Sequence, residues 1–216
     1  MNDIHSASRS DPDAEAGSFR ITFADLEDIE ALVALHLKCF SDDDHIAVMF
    51  GKGFIHSAYK WFVTHSETFV LVAKKKEQLL GFTAISEKPY NGPMLRAAKW
   101  DALRGLILRP WLAFHPELIR RLVRILFSWR DNHSGDKVAH IAFTGVSPQF
   151  QGKGIGKALK NESIRVCRKR GMIAMVTGVK RQNLRAKAMN ESAGFVEIPE
   201  LSTKRFICLR LELEPE

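Results

Sequence analysis

Apolar and polar residues alternate along residues 18–23, a period of two that predicts a short strand. From Asp25 the period changes. Ile29, Leu32, Val33, Leu35 and Leu37 recur at helical spacing, so a helix is predicted to about Phe40, opened by an aspartate of the type that caps helices. Asp42, Asp43 and Asp44 end it in a polar loop, and a second helix is predicted over residues 48–64 with Phe54, Tyr59, Trp61 and Phe62. Two β-rich runs, 68–73 and 79–86, flank the charged segment KKKEQ and read as a hairpin, although its turn lacks an Asn-Gly pair.

Residues 91–131 carry a long helical pattern interrupted at Pro110 and Pro116. Its second part, residues 116–130, is amphipathic and basic, with Leu118, Ile119, Leu122, Val123, Ile125, Leu126 and Trp129 beside Arg120, Arg121, Arg124 and Arg130. Such a helix can lie on a membrane surface. The commoner arrangement packs it on the domain's own core with the arginines in water, and that is the expectation here. The rest of the chain reads as a strand (137–146), a helix (154–170), a strand (172–179), a helix (183–192) and two closing strands (194–198 and 205–213). The order predicts one mixed α/β domain over residues 19–216. Residues 1–18 are acidic and rich in small residues, and read as a disordered tail with no apolar signal stretch.

Composition narrows the setting. The 216 residues are 45% hydrophobic, enough for one domain with a core, and hold no apolar run of the roughly 18 residues that a membrane span needs. A net charge of +7 favours an anionic ligand: nucleic acid, a membrane surface or a phosphorylated cofactor. No nucleic-acid recognition motif is present, so nucleic acid is not an expected partner. Cys39, Cys167 and Cys208 are odd in number and far apart, without metal-ligand spacing. The expectation is a reduced, cytoplasmic protein with no metal and no catalytic thiol.

The chemistry concentrates between a strand ending at Val146 and the helix that follows. Gly152, Gly154 and Gly156 alternate with Lys153, Ile155 and Lys157. Glycine lets a backbone approach a ligand and adopt positive φ. The first turn of a helix offers unpaired amides and the positive end of a dipole, so the segment suits a pyrophosphate. It is no nucleoside-triphosphate loop, because Ala158 follows Gly156-Lys157 where Ser or Thr is needed, and the two-residue spacing of the glycines breaks the dinucleotide fingerprint.

These residues resemble the cofactor signature of the GNAT N-acetyltransferase superfamily, Gln/Arg-x-x-Gly-x-Gly/Ala, which Gln151, Gly154 and Gly156 match. Asn183 and Ala186, followed by Gly194-Phe195, match a second motif of that family. The resemblance covers about residues 138–198. It implies a mixed, mostly antiparallel sheet splayed at the cofactor strand, with helices on both faces; residues 91–131 are long for the link between the third and fourth strands, which is short in many members, and read as an extra helical insertion. The resemblance implies acetyl-CoA as acyl donor. Thr144 and Val146 would offer backbone groups to the pantetheine arm, and the Val146 N–H would face the developing oxyanion. The amides of residues 152–157 would hold the pyrophosphate, with Gln151 of the motif also at the cofactor site and Asn183, Ala186 and Asn190 on the motif helix beside the arm.

Many members carry a glutamate base at the position of His140, and an unperturbed histidine titrates near neutrality, which suits a general base. Many place a general-acid tyrosine where this chain has Asn190, an amide without a useful proton. His36, Phe40, Asp42, Asp43, Asp44 and His45 are candidates for choosing the acceptor, with the insertion as a pocket wall or a dimer face. The leading reading is acetylation of a small-molecule primary amine, such as an amino sugar or sugar nucleotide. The alternatives are an N-terminal or lysine acetyltransferase of proteins, and a non-catalytic acyl-CoA sensor.

Overall fold

The computed structural model describes residues 19–40, 45–115, 119 and 137–214. The acidic loop 42–44, the tail 1–18 and nearly all of the amphipathic segment 116–130 lie outside the described residues. Seven strands form one open sheet: β1 (Arg20–Phe23), β2 (Thr68–Lys75), β3 (Gln78–Ser86), β4 (Val138–Val146), β5 (Ala174–Lys180), β6 (Val196–Glu197) and β7 (Phe206–Glu212). Their spatial order is β1-β2-β3-β4-β5-β7-β6. Only β4 and β5 run parallel; the other neighbours are antiparallel.

Helices cover both faces. On one side α1 (Ile29–Cys39), α2 (Ile46–Phe50), α3 (Lys52–Thr64), α4 (Asn91–Ala97) and α5 (Lys99–Leu108) build a core with Val70, Phe82 and Phe143 of the sheet. On the other, α6 (Ile155–Lys169) packs Ile155, Leu159 and Val166 against Leu71, Ile85, Ile141 and Met175, and α7 (Leu184–Ser192) adds Ala186.

Several predicted elements divide in the structure. The first predicted helix begins as a single 3-10 turn, Leu26–Asp28, where Asp25 and Asp28 form a reciprocal capping box. The second breaks at Gly51, whose φ of +93° no helix continues through, leaving α2 and α3. The insertion breaks at Ala98 and again at Arg109, and Pro110 starts the 3-10 turn Pro110–Phe114. The hairpin turns on Lys76, which takes positive φ where Asn or Gly is usual.

Two strand glycines differ in what surrounds them. A Cβ on Gly145 in β4 would lie 2.8 Å from the buried ring of Phe82 and 3.1 Å from Cys39 Sγ, whereas one on Gly178 in β5 would meet nothing within 4 Å. Gly145→Ala should therefore cost about 1–3 kcal/mol through overpacking, with Gly178→Ala near neutral. Chemical denaturation of both variants checks this, and equal stabilities would refute it.

Candidate functional site

Every backbone group in a sheet interior needs a partner. β4 keeps its pairing with β3 as far as Val146, but its pairing with β5 ends at Ile141 and Thr177. Beyond that point β5 stays with β7 and β4 with β3, so residues 142–146 and 178–180 face each other across a gap. The parting coincides with a β-bulge. Ala84 pairs with Phe143 and Ile85 with Ile141, leaving Ala142 as the extra residue. Ala139 and Ile141 belong to the α6-side core, while Ala142 and Phe143 both pack on the α1–α3 side, the re-aiming that a bulge produces.

The edge of β4 is presented to this gap. Ser147 N–H donates to Leu80 O on β3 at 2.8 Å, so by alternation the Val146 N–H points away from β3. Thr144 shares that parity, and its hydroxyl is held by Thr83 Oγ1 at 2.9 Å. Gly178 is exposed on the facing strand. It was not singled out from sequence, although an isolated glycine inside a strand pattern signals close backbone approach.

Gln151 joins the parts around the loop. Its Nε2 donates to Val146 O (3.2 Å) and its Oε1 accepts from Arg185 Nη1 (2.8 Å), tying the end of β4 to the first turn of α7. Gly152 and Gly154 have φ of +82° and +78°, and neither has an atom within 4 Å of a would-be Cβ. Gly154 is the N-cap of the 15-residue α6 and supplies no side-chain cap, so the first-turn amides of Ile155, Gly156 and Lys157 have no cap from it. Ile155 is buried under the loop, and Gly156 lies where a Cβ would be 3.1 Å from Met189 Sδ. Lys153 leans over Phe150, its Nζ 5.1 Å from the ring centre, and Lys157 is exposed at the same helix end.

On α7, Asn183 Oδ1 accepts from Ala186 N–H (3.0 Å) as the helix cap. Asn190 is only 3% exposed; its Nδ2 donates to Ala186 O (2.7 Å), and its buried Oδ1 has no hydrogen-bond partner. Asn190 thus occupies an interior position bonded to its own helix.

His140 pairs with Ser86 on one side and Val176 on the other, in the part of β4 still joined to β5. It alternates with Ala139 and Ile141, which places it on the α1–α3 side. Burial pushes its pKa down to about 4, well below the neutral range expected from sequence.

A second polar group shares that side. His36 is fully buried, with Nδ1 2.8 Å from Tyr59 Oη and Nε2 3.3 Å from His45 Nδ1. Burial pushes Tyr59 well above its usual pKa, so the phenol keeps its proton. Donation to His36 Nδ1 satisfies that hydroxyl, which assigns the His36 proton to Nε2, directed at His45. The His36 and His45 rings lie 5.3 and 5.4 Å from that of Phe143, at the parted segment of β4. His36 and His45 were sequence candidates; Tyr59 was not, because no local motif marks a partner 23 residues away. The cysteine thiols are free, and burial pushes Cys39 up to about 11 and Cys167 to about 12.

Comparison with known proteins agrees with this geometry. Residues 29–195 match the family model described as the acetyltransferase (GNAT) family. Among solved structures, the chain is similar to the ribosomal-protein-S18-alanine N-acetyltransferase of Escherichia coli, with 14% identity, a TM-score of 0.57 and coverage of 92% of this chain and 96% of that one. It is similar to the PaiA N-acetyltransferase of Thermoplasma acidophilum in complex with coenzyme A (14%, TM-score 0.60, 90% and 99% covered). It is also similar to YncA of Salmonella typhimurium, solved with its cofactor acetyl-CoA (17%, TM-score 0.56, 93% and 96% covered). No curated protein matches it in sequence.

The buried histidines make stability depend on pH. Burial lowers the pKa of His36 from 6.5 to about 4, so the unfolded chain binds a proton first. Stability is complete above about pH 6.5 and declines as pH falls toward 4, by about 3 kcal/mol for this group. Replacing the pair together (His36→Phe with Tyr59→Phe) should remove about half of the decline in melting experiments across that range, His140 being shifted likewise; an unchanged slope would refute the assignment.

Proposed function

The chain belongs to the GNAT acetyltransferase family, and on that premise we propose that it moves an acetyl group from acetyl-CoA to a primary amine of a small molecule. The observation that carries this reading is the parted β4–β5 edge opening beside an α6 N-terminus that has no side-chain cap. The residues suit the donor. Gly152 and Gly154 leave open space where side chains would otherwise stand, and the amides of residues 152–157 with Lys153 and Lys157 fit a pyrophosphate. The backbone of Thr144 and Val146 fits a pantetheine arm laid along the gap as an added strand. Asn183 keeps its Nδ2 available beside it, and Ala186 and Asn190 shape the wall of α7.

When bound, acetyl-CoA supplies a thioester carbonyl open to attack by an amine. The chain's contribution is position and polarity. The Val146 N–H is aimed at the gap, where it can stabilise charge on an oxygen. His140 is the proposed base; with a pKa of about 4 it is neutral at physiological pH and able to accept a proton. Asn190 donates no proton to a leaving thiolate, so protonation there falls to solvent, and alignment carries much of the rate.

A small acceptor is favoured over a protein because α4 and α5 pack beside α2 and α3 and wall that side of the sheet. Amino sugars and sugar nucleotides are the first acceptors to assay. Preference for a peptide N-terminus or lysine would replace this reading, and binding without turnover on any amine would assign a sensor.

Titration calorimetry should show acetyl-CoA binding where ATP does not, and Gly154→Val should weaken it at least tenfold by forcing a β-branched residue to φ near +78°. Undiminished affinity in that variant would disprove the loop's role. His140→Ala should lower turnover by about 100-fold at every pH from 5 to 9, with acetyl-CoA affinity unchanged. Because the group titrates near 4, wild type should show no histidine inflection between pH 6 and 7. Full turnover in the variant would remove His140 from the mechanism.

A further inference from the structure

On α5 small residues face the core and most of the large ones face outward. On α5 the face toward the domain carries Ala102 and Gly105, and a Cβ on Gly105 would stand 2.7 Å from Phe50 O. The large side chains point outward. Trp100, Leu103, Ile107 and Leu108 of α5, with Trp111 and Phe114 of the following turn, are between 46% and 82% exposed. Isolated surface hydrophobics need no explanation, but six within fifteen residues concentrate exposed apolar area in one short stretch, as interaction sites do.

The charges around this stretch have one sign. Arg96, Lys99 and Arg104 are exposed, and Lys99 lies over the Trp100 ring at 5.3 Å. On the helical wheel of α5, Lys99 borders the apolar side chains and Arg104 stands among them, between Trp100 and Leu108. The only acid among residues 91–114, Asp101, is turned inward to accept from Ser57 Oγ at 2.6 Å. We propose that this face docks on an anionic lipid bilayer, with the tryptophans and Ile107 entering the headgroup boundary while Arg96, Lys99 and Arg104 meet lipid phosphates.

Charge selects this occupant over the others. A two-fold contact between copies would bring two faces of the same positive sign together, and the one acid among residues 91–114, Asp101, is turned inward. The chain's own segment 116–130 adds Arg120, Arg121, Arg124 and Arg130 and only Glu117 as an acid before residue 131, so it repeats the sign of the face. The docking site lies on residues 96–114, upstream of the segment where sequence placed a membrane option.

Co-sedimentation of the full chain with vesicles tests the proposal. Vesicles of two parts phosphatidylcholine to one part phosphatidylglycerol should bind it at low salt. Phosphatidylcholine alone should bind much less, and high salt should release it. The triple variant Trp100→Ser, Ile107→Ser, Trp111→Ser should lose at least tenfold in vesicle affinity with its melting temperature retained. Should it fail to fold, Lys99→Glu with Arg104→Glu carries the test with the same expected loss. Absence of binding to the anionic vesicles at low salt overturns the proposal, as does undiminished binding by the variants. A concentration-dependent dimer that the triple variant abolishes, without vesicle binding, also overturns it and assigns the face to a second copy.

Discussion

Backbone amides and carbonyls in a sheet must find partners, and here one pair of neighbouring strands stops providing them halfway. The parting of β4 from β5 at Ile141 and Thr177 organises the molecule around it. Crowding at Gly145, where Phe82 and Cys39 leave no room for a side chain, keeps β4 close to β3 beyond that point. β7 pairs along all of β5, which holds the other side of the opening. Gln151 then fixes the end of β4 to α7. An edge that would elsewhere invite aggregation is kept narrow and internal, where a flexible extended ligand can complete it.

The two faces of the sheet meet at this opening with different chemistry. The α6 side brings backbone amides, glycines and lysines, a surface for phosphate. The α1–α3 side brings aromatic rings and neutral imidazoles. His140 and His36 are both held near a pKa of 4 by burial, so neither adds positive charge at neutral pH. That division suits a reaction whose donor is highly charged and whose attacking group must be an uncharged amine.

How much of this was legible in sequence depended on the range of the interactions. The α6 helix, its glycines and the alternating strands follow from local spacing and came out at nearly the observed boundaries. The splay came only through the motif resemblance, because no periodicity reports where two strands part. Gly51 was passed over inside an apolar helical pattern, although its left-handed φ divides that helix. Tyr59 and Gly178 depend on partners or empty space distant in sequence. Asn190 marked a departure from the family's usual tyrosine, and the structure turns that departure into a buried amide serving its own helix.

The four-residue parallel junction between β4 and β5 has a consequence for how the molecule yields. Strands β1 to β4 lie on one side and β5, β7 and β6 on the other, and residues 138–141 with 174–177, extended by the Ile173 N–H to Lys137 O bond, stitch the sheet between them. Such a seam has few sheet hydrogen bonds, and the core under α6, with Ile85, Ile141, Met175 and Leu209, bridges it from one face. An acyl donor laid in the opening, as proposed, would lengthen the seam from both sides. Occupancy would then be felt as mechanical continuity: two sets of strands joined by a short seam become a single plate.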